Sequence, residues 1–162
     1  MSNEKYVVRR NEIEAMEGYA KTHFLNDNAR RVNKSLGDLT GLTGLGFHLI
    51  EVQPGRQSTE LHTHHHEDEC VYVLDGEADA RIGDEVVRVR AGDFIGYRAG
   101  GLPHTLTNPG PGVLRCIVAG QRLPHDTADY PEAGKRLYRN EGLRWNLVDR
   151  DAITEVDAGR KR

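Results

Sequence analysis

The stretch His62-Thr63-His64-His65-His66-Glu67-Asp68-Glu69 decides how this chain is read. It sets four imidazoles and two glutamates in eight residues, then enters an apolar run, Cys70-Val71-Tyr72-Val73-Leu74. Imidazole suits the divalent transition metals, and carboxylate adds affinity for hard cations. His62 and His64 are two residues apart. In extended backbone, residues i and i+2 leave the same face, so both rings can reach one ion. Glu69 shares strand parity with Val71 and Val73. A turn over 65–68 is expected to set the His strand against the Glu strand. Downstream, Pro103-His104 offers a third imidazole. Three His and one Glu leave coordination positions open, as a catalytic metal requires.

Working outward, the chain reads as a series of short strands between turn signals. These are Phe47 to Val52, Cys70 to Leu74, Ala78 to Ile82, Val86 to Arg90, Phe94 to Tyr97, His104 to Asn108 and Val113 to Ala119. Gly83-Asp84 reads as a hairpin turn, and Asn108-Pro109-Gly110-Pro111-Gly112 as a tight turn cluster. This spacing predicts an all-β barrel or sandwich whose inward side chains can converge on one cavity. Before it, Asn11-Glu12-Ile13-Glu14 resembles a capping box and predicts one short helical turn. The glycines within Leu36–Leu45 argue for turns rather than helix. After it, Lys135–Arg139 and Leu143–Val148 read as strands or as segments packing Leu137, Trp145, Leu147 and Val148 over the barrel or a second subunit. The single Trp reads as a packing anchor.

Bulk properties narrow the function. A length of 162 residues suits one domain. A formal charge of −3 gives no electrostatic case for nucleic acid. The short basic end, Gly159-Arg160-Lys161-Arg162, reads as a solvated tail. There is no apolar run near membrane-spanning length, so no membrane partner is expected. The segment Met1–Lys5 lacks the apolar core of a secretion signal, which makes the cytoplasm the expected location. Cys70 and Cys116, both in apolar strands, read as buried reduced thiols, with no Cys-x-x-Cys pair for a thiolate site.

The motifs resemble those of the cupin family. Gly55 precedes His62-Thr63-His64, four residues lead to Glu69, and six more to Gly76. The second motif runs Gly92-Asp93-Phe94-Ile95-Gly96-Tyr97-Arg98-Ala99-Gly100-Gly101-Leu102-Pro103-His104, then three residues to Asn108. Arg98 stands where proline is usual, one residue is inserted before His104, and the Gly55–His62 interval is one longer than the commonest pattern. The resemblance covers about residues 45–120. It implies a double-stranded β-helix, the cupin jelly-roll barrel, with short helical or irregular extensions over 1–44 and 121–162. It also implies one divalent metal on His62, His64, Glu69 and His104. The layout is similar, more loosely, to small bacterial cupins described as sugar-phosphate-isomerase-like.

Around this set, Glu67 rivals Glu69, and His65 and His66 fall in the turn at the barrel mouth. Parity extends inward to Ser58 and Glu60, making Glu60 a candidate general base or a partner orienting an imidazole. Arg56 and Arg98 flank the motifs as candidates for holding an anionic substrate. His23, His48 and His125 have no partner in the sequence and read as ordinary. The leading expectation is a metal-dependent isomerase or epimerase of a small polar metabolite, such as a sugar or sugar phosphate. The alternatives are an Fe(II) dioxygenase and a non-catalytic metal-bearing sensing module. Cupins commonly pair through sheet edges, so a homodimer is expected. The ligand set leaves the metal open among Mn, Fe, Co, Ni, Zn and Cu.

Overall fold

The computed structural model describes residues 5–157 and 159, so Arg160-Lys161-Arg162 of the basic end and Met1–Glu4 lie outside the described residues. The chain folds as an all-β jelly roll with two short helices, α1 (Arg10–Ala15) and α2 (Leu36–Leu39). Its strands are β1 (Tyr19–His23), β2 (Asn26–Ser35), β3 (Leu45–Val52), β4 (Thr63–His64), β5 (Glu69–Asp75), β6 (Glu77–Ile82) and β7 (Glu85–Arg90). They continue as β8 (Phe94–Tyr97), β9 (His104–Thr107), β10 (Leu114–Gln121), β11 (His125–Tyr130), β12 (Lys135–Asn140) and β13 (Asn146–Asp149). A six-stranded sheet runs β1-β2-β3-β10-β5-β8. A three-stranded sheet runs β7-β6-β9, and a four-stranded sheet β13-β12-β11-β4.

The core lies between the six-stranded and three-stranded sheets. Ile50, Val52, Val71, Val73, Leu114 and Cys116 face Ala78, Ala80, Val89 and Leu106. Alternation selects these residues: Val71 and Val73 are buried while Tyr72 and Leu74 between and beyond them are half exposed. Ala78 and Ala80 alternate with Asp79 and Arg81 in the same way. At Gly76 the backbone has φ +83, and a Cβ would stand 3.2 Å from the Leu114 Cα and the Val113 carbonyl, so only glycine fits. Cys116 is fully buried, which pushes its thiol up to about 12, whereas Cys70 is only partly buried. No helix among the described residues is long and apolar enough to cross a membrane.

Several expectations change. Residues 36–39 form a helical turn rather than an open turn. Gly37 is buried there, with space for a Cβ only 3.2 Å from the Phe47 backbone nitrogen, so packing against β3 outweighs its poor helix propensity. The His and Glu strands are not set against each other by the 65–68 turn. β4 pairs with β11, whereas Glu69 lies on β5 between Gly120 and Tyr97, so the two meet across the barrel. Strands β1, β2 and β11 carry no apolar alternation in sequence, yet β1 and β2 extend the main sheet through β3. Trp145 is exposed rather than an anchor, with the Arg139 guanidinium 5.7 Å above its ring.

Asn108 closes the barrel end. It is 1% exposed; its Nδ2 donates to the Val52 and Gly112 carbonyls at 2.8 Å, and its Oδ1 accepts from Gly110 N at 2.9 Å. Asn108→Ala leaves a buried carbonyl unpaired and is expected to lower the unfolding free energy by about 2–4 kcal/mol. Urea denaturation measures this, and a loss below about 0.5 kcal/mol would deny the residue its structural role.

Asp129 on β11 lies opposite Arg136 on β12 and takes two hydrogen bonds from it, at 2.6 and 2.7 Å. The guanidinium, helped by His65, holds its carboxyl at about 2, below the ordinary 3.8. The pair therefore stabilises the fold fully above the ordinary value and loses its effect as pH falls through 3.8 toward 2. In wild type the contribution is about 2 kcal/mol. Asp129→Asn should flatten this acid limb, and an unchanged pH–stability profile would contradict the assignment.

Candidate metal centre and cavity

Backbone pairing builds the histidine cluster. His62 and His104 bridge antiparallel, His62 N donating to His104 O at 3.2 Å and His104 N to His62 O at 2.8 Å. Their rings lie 4.7 Å apart. His64, on the same side as His62, brings its Nε2 to 3.2 Å from His62 Nε2. His104 Nε2 stands 3.6 Å from Glu69 Oε1. His62, Glu69 and His104 each offer a ligand atom within 4.8 Å of the others.

Each ring is fixed from behind through Nδ1. His62 Nδ1 donates to the Glu60 carbonyl at 2.9 Å, His64 Nδ1 to Asp126 Oδ2 at 2.6 Å, and His104 Nδ1 to the Leu102 carbonyl at 3.3 Å. A neutral imidazole carries one N–H, so each of these rings, when neutral, presents a lone pair at Nε2. Burial lowers His62 to about 3, which keeps it neutral. Burial also lowers His64, but the Asp126 hydrogen bond and the Glu69 and Asp126 charges outweigh it and raise the ring above its ordinary value. Burial pushes Glu69 up, yet His104 and the neighbouring imidazoles hold it below the usual carboxylate range.

A divalent ion fits these residues. His104 Nε2 is buried without a hydrogen-bond partner among the described residues. Two nitrogens on one ion at about 2.1 Å stand about 3.0–3.4 Å apart, the His62–His64 separation. Hydrogen-bonded acceptors behind each ring are the usual support of metal-bound imidazole.

Glu67 does not join His62 and His104. It is buried, accepts from Leu123 N at 2.6 Å and pairs with Arg139, lying with His64 and Asp126 in a second group. His65 Nε2 meets Asp129 at 3.1 Å, and His66 N donates to Asp126 Oδ1 at 3.2 Å, so the turn is tied to β11.

The cluster opens on a cavity of about 340 Å³. Glu60 is buried, but its carboxylate accepts from Asn26 at 2.6 Å and does not line this cavity; it serves His62 through its backbone carbonyl. Arg56 bonds Asn28 at 2.9 Å, and Arg98 is exposed; neither lines the cavity. Lys21, Arg31, Arg122 and Arg139 do. So do His23 and His48, read from sequence as ordinary, together with Tyr97 and Tyr130. The Tyr97 ring stacks on His104 at 3.6 Å, and Tyr130 lies 6.0 Å from the His62 ring. Burial raises both phenols, Tyr130 to about 12. The signal for Lys21, His23 and Arg31 was faint: two positions of one parity in β1 and one in a strand without apolar alternation.

The family model for the cupin domain matches residues 48–120. A candidate sugar phosphate isomerase from Acidithiobacillus ferrooxidans is 46% identical, with a TM-score of 0.90 over 93% of this chain and 96% of that one. A structure from Silicibacter pomeroyi, described as a sugar phosphate isomerase from a cupin superfamily, is 24% identical. Its TM-score is 0.78 over 90% of this chain and 94% of that one, a likeness of fold alone. None of the curated proteins matches this chain.

Asp126→Asn removes the anion behind His64 and is expected to weaken divalent-metal affinity about 10–100-fold. Competition with a chromogenic chelator reads the change. Wild-type affinity in the variant would show that Asp126 does not support the ligand.

Proposed function

This chain belongs to the cupin family, and from that premise we propose that it is a metal-dependent isomerase or epimerase of a small phosphorylated sugar. The supporting observation is the presence of two chemistries in one cavity. Its lining carries both the His62, His64, His104 and Glu69 cluster and cations, with Lys21 and Arg31 free of any ion pair among the described residues. The name of the 46% identical relative agrees with such a substrate.

A divalent ion held by His62, His64, Glu69 and His104 would supply Lewis-acid polarisation of adjacent substrate oxygens and so acidify the C–H between them. The chain supplies the rest. Isomerisation moves a proton from one carbon to its neighbour, so the cavity needs a basic group near the cluster. Glu60 does not reach the lining, and Glu69 is already a candidate ligand, which leaves Glu67 and Asp126 as the lining carboxylates beside His64. Tyr130, kept neutral by burial, donates a hydrogen bond to the substrate oxygen on which charge develops. The acceptors behind the three rings hold the site rigid through the cycle.

The test is NMR of aldose and ketose phosphates incubated with the protein in deuterated buffer. Interconversion or exchange of the acidified C–H is expected, lost on chelation and equal with or without oxygen. Turnover that survives exhaustive metal removal would overturn the proposal. Oxygen uptake matched to turnover would favour a dioxygenase, and a bound but unchanged ligand would favour a sensing module.

A further inference from the structure

The β1–β2 hairpin holds charges that its own packing does not explain. Lys21 and Arg31 are cross-strand partners, and both line the cavity. Like charges directly opposite on a sheet destabilise it. Arg31 donates Nη1 to the Ser58 carbonyl at 2.9 Å, but its Nε is buried without a partner among the described residues. Lys21 sits at the exposed rim.

Two histidines beside them have the tautomer opposite to that of the ligand cluster. His23 Nδ1 accepts from Leu25 N at 3.2 Å, which puts the ring proton on Nε2. His48 Nδ1 lies 2.9 Å from Ser35 Oγ and 3.1 Å from Asn33 Nδ2, donors that likewise leave the proton on Nε2. Burial lowers both rings; Lys21 and Arg31 add to it at His23, and Arg122 and Arg31 outweigh Asp38 at His48, so both are neutral donors. Gly46 makes room here: a Cβ would stand 2.9 Å from His48 Nε2 and 3.2 Å from Arg122 Nε. Arg122 is already matched by Asp38 at 2.6 Å. The remaining groups, Lys21, Arg31, His23 and His48, are donors with no carboxylate hydrogen bond or ion pair among the described residues, though the Glu69 charge reaches Arg31 and that of Asp38 reaches His48. Such an array suits a compact oxyanion with several acceptor oxygens.

We propose that Lys21, Arg31, His23 and His48 form a phosphoryl-binding subsite on the wall of the cavity that also holds the histidine–glutamate cluster. It would anchor the phosphate end of a substrate whose reacting end lies at the cluster. The location of the subsite is inferred from donors and charge, while its use in isomerisation rests on the function proposed above.

Binding is measured by calorimetry on the full chain, metal-loaded and chelator-treated, at matched ionic strength. The probes are inorganic phosphate, glucose 6-phosphate and glucose. Both phosphate species should bind with or without metal, and glucose much more weakly. Lys21→Gln and Arg31→Gln should each weaken phosphate binding about tenfold or more. Arg115→Gln, on the outer face beside Glu51, should leave it unchanged. Should Arg31→Gln fail to fold, Lys21→Gln at the rim decides. The subsite is overturned by wild-type phosphate affinity in Lys21→Gln, by phosphate binding that vanishes with the metal, or by an equal loss in Arg115→Gln. Phosphate binding that follows these variants in a protein without isomerase activity would refute only the function. Isomerase activity with unaltered phosphate binding in the variants would refute only the subsite.

Discussion

A neutral imidazole holds one proton, and a ring that gives it to an acceptor at Nδ1 must present a lone pair at Nε2. The candidate centre depends on meeting this condition three times. The acceptors are two backbone carbonyls, of Glu60 and Leu102, and the Asp126 carboxylate. Asp126 is 62 residues from His64 in the chain, and it arrives only because β11 pairs with β4. Even the rear of the barrel serves this arrangement, since the His62–His104 bridge fixes the separation of two rings through main-chain bonds. Without the fold these would be surface histidines; within it they become three converging lone pairs.

The parts of this architecture that face the apolar core were legible in the sequence. Val71 and Val73, or Ala78 and Ala80, announce their strands because burial demands alternation. The candidate histidine ligands stand out for a related reason: extended backbone puts i and i+2 on one side, and the spacing to Glu69 and His104 follows motif positions. What stayed hidden was the polar part of the barrel. β2 reads Asn-Asp-Asn-Ala-Arg-Arg-Val-Asn-Lys-Ser, and its inward positions contact a wet cavity rather than the core. A strand facing polar space has no hydrophobic period to betray it.

The same reasoning explains why some candidate site residues lie apart from the cavity. Arg56 and Arg98 were chosen for nearness to the motifs along the chain, yet the barrel turns both away from its interior. Glu60 has the right parity, but Asn26 on β2 captures its carboxylate. His23 and His48 had no neighbours in sequence that could mark them. Their roles come from Leu25 N, Ser35 and Asn33, which fix a tautomer no linear pattern shows. Register, and not proximity in sequence, decides which polar groups share a space.

β1 is the outermost strand of its sheet and bonds only to β2, which in turn rests on β3. The larger apolar cluster includes no residue of this hairpin, whose buried Ala29 and part-buried Leu25 lie outside it. Of its inward side chains, Lys21 and His23 make no hydrogen bond to the strands that carry the candidate ligands, so these two can be exchanged while those strands keep their register. In evolutionary terms the barrel can serve as a constant engine with an interchangeable collar. Descendants could diverge in the molecules they admit by altering a few hairpin positions, and a designer could graft a new hairpin onto β3 to the same end.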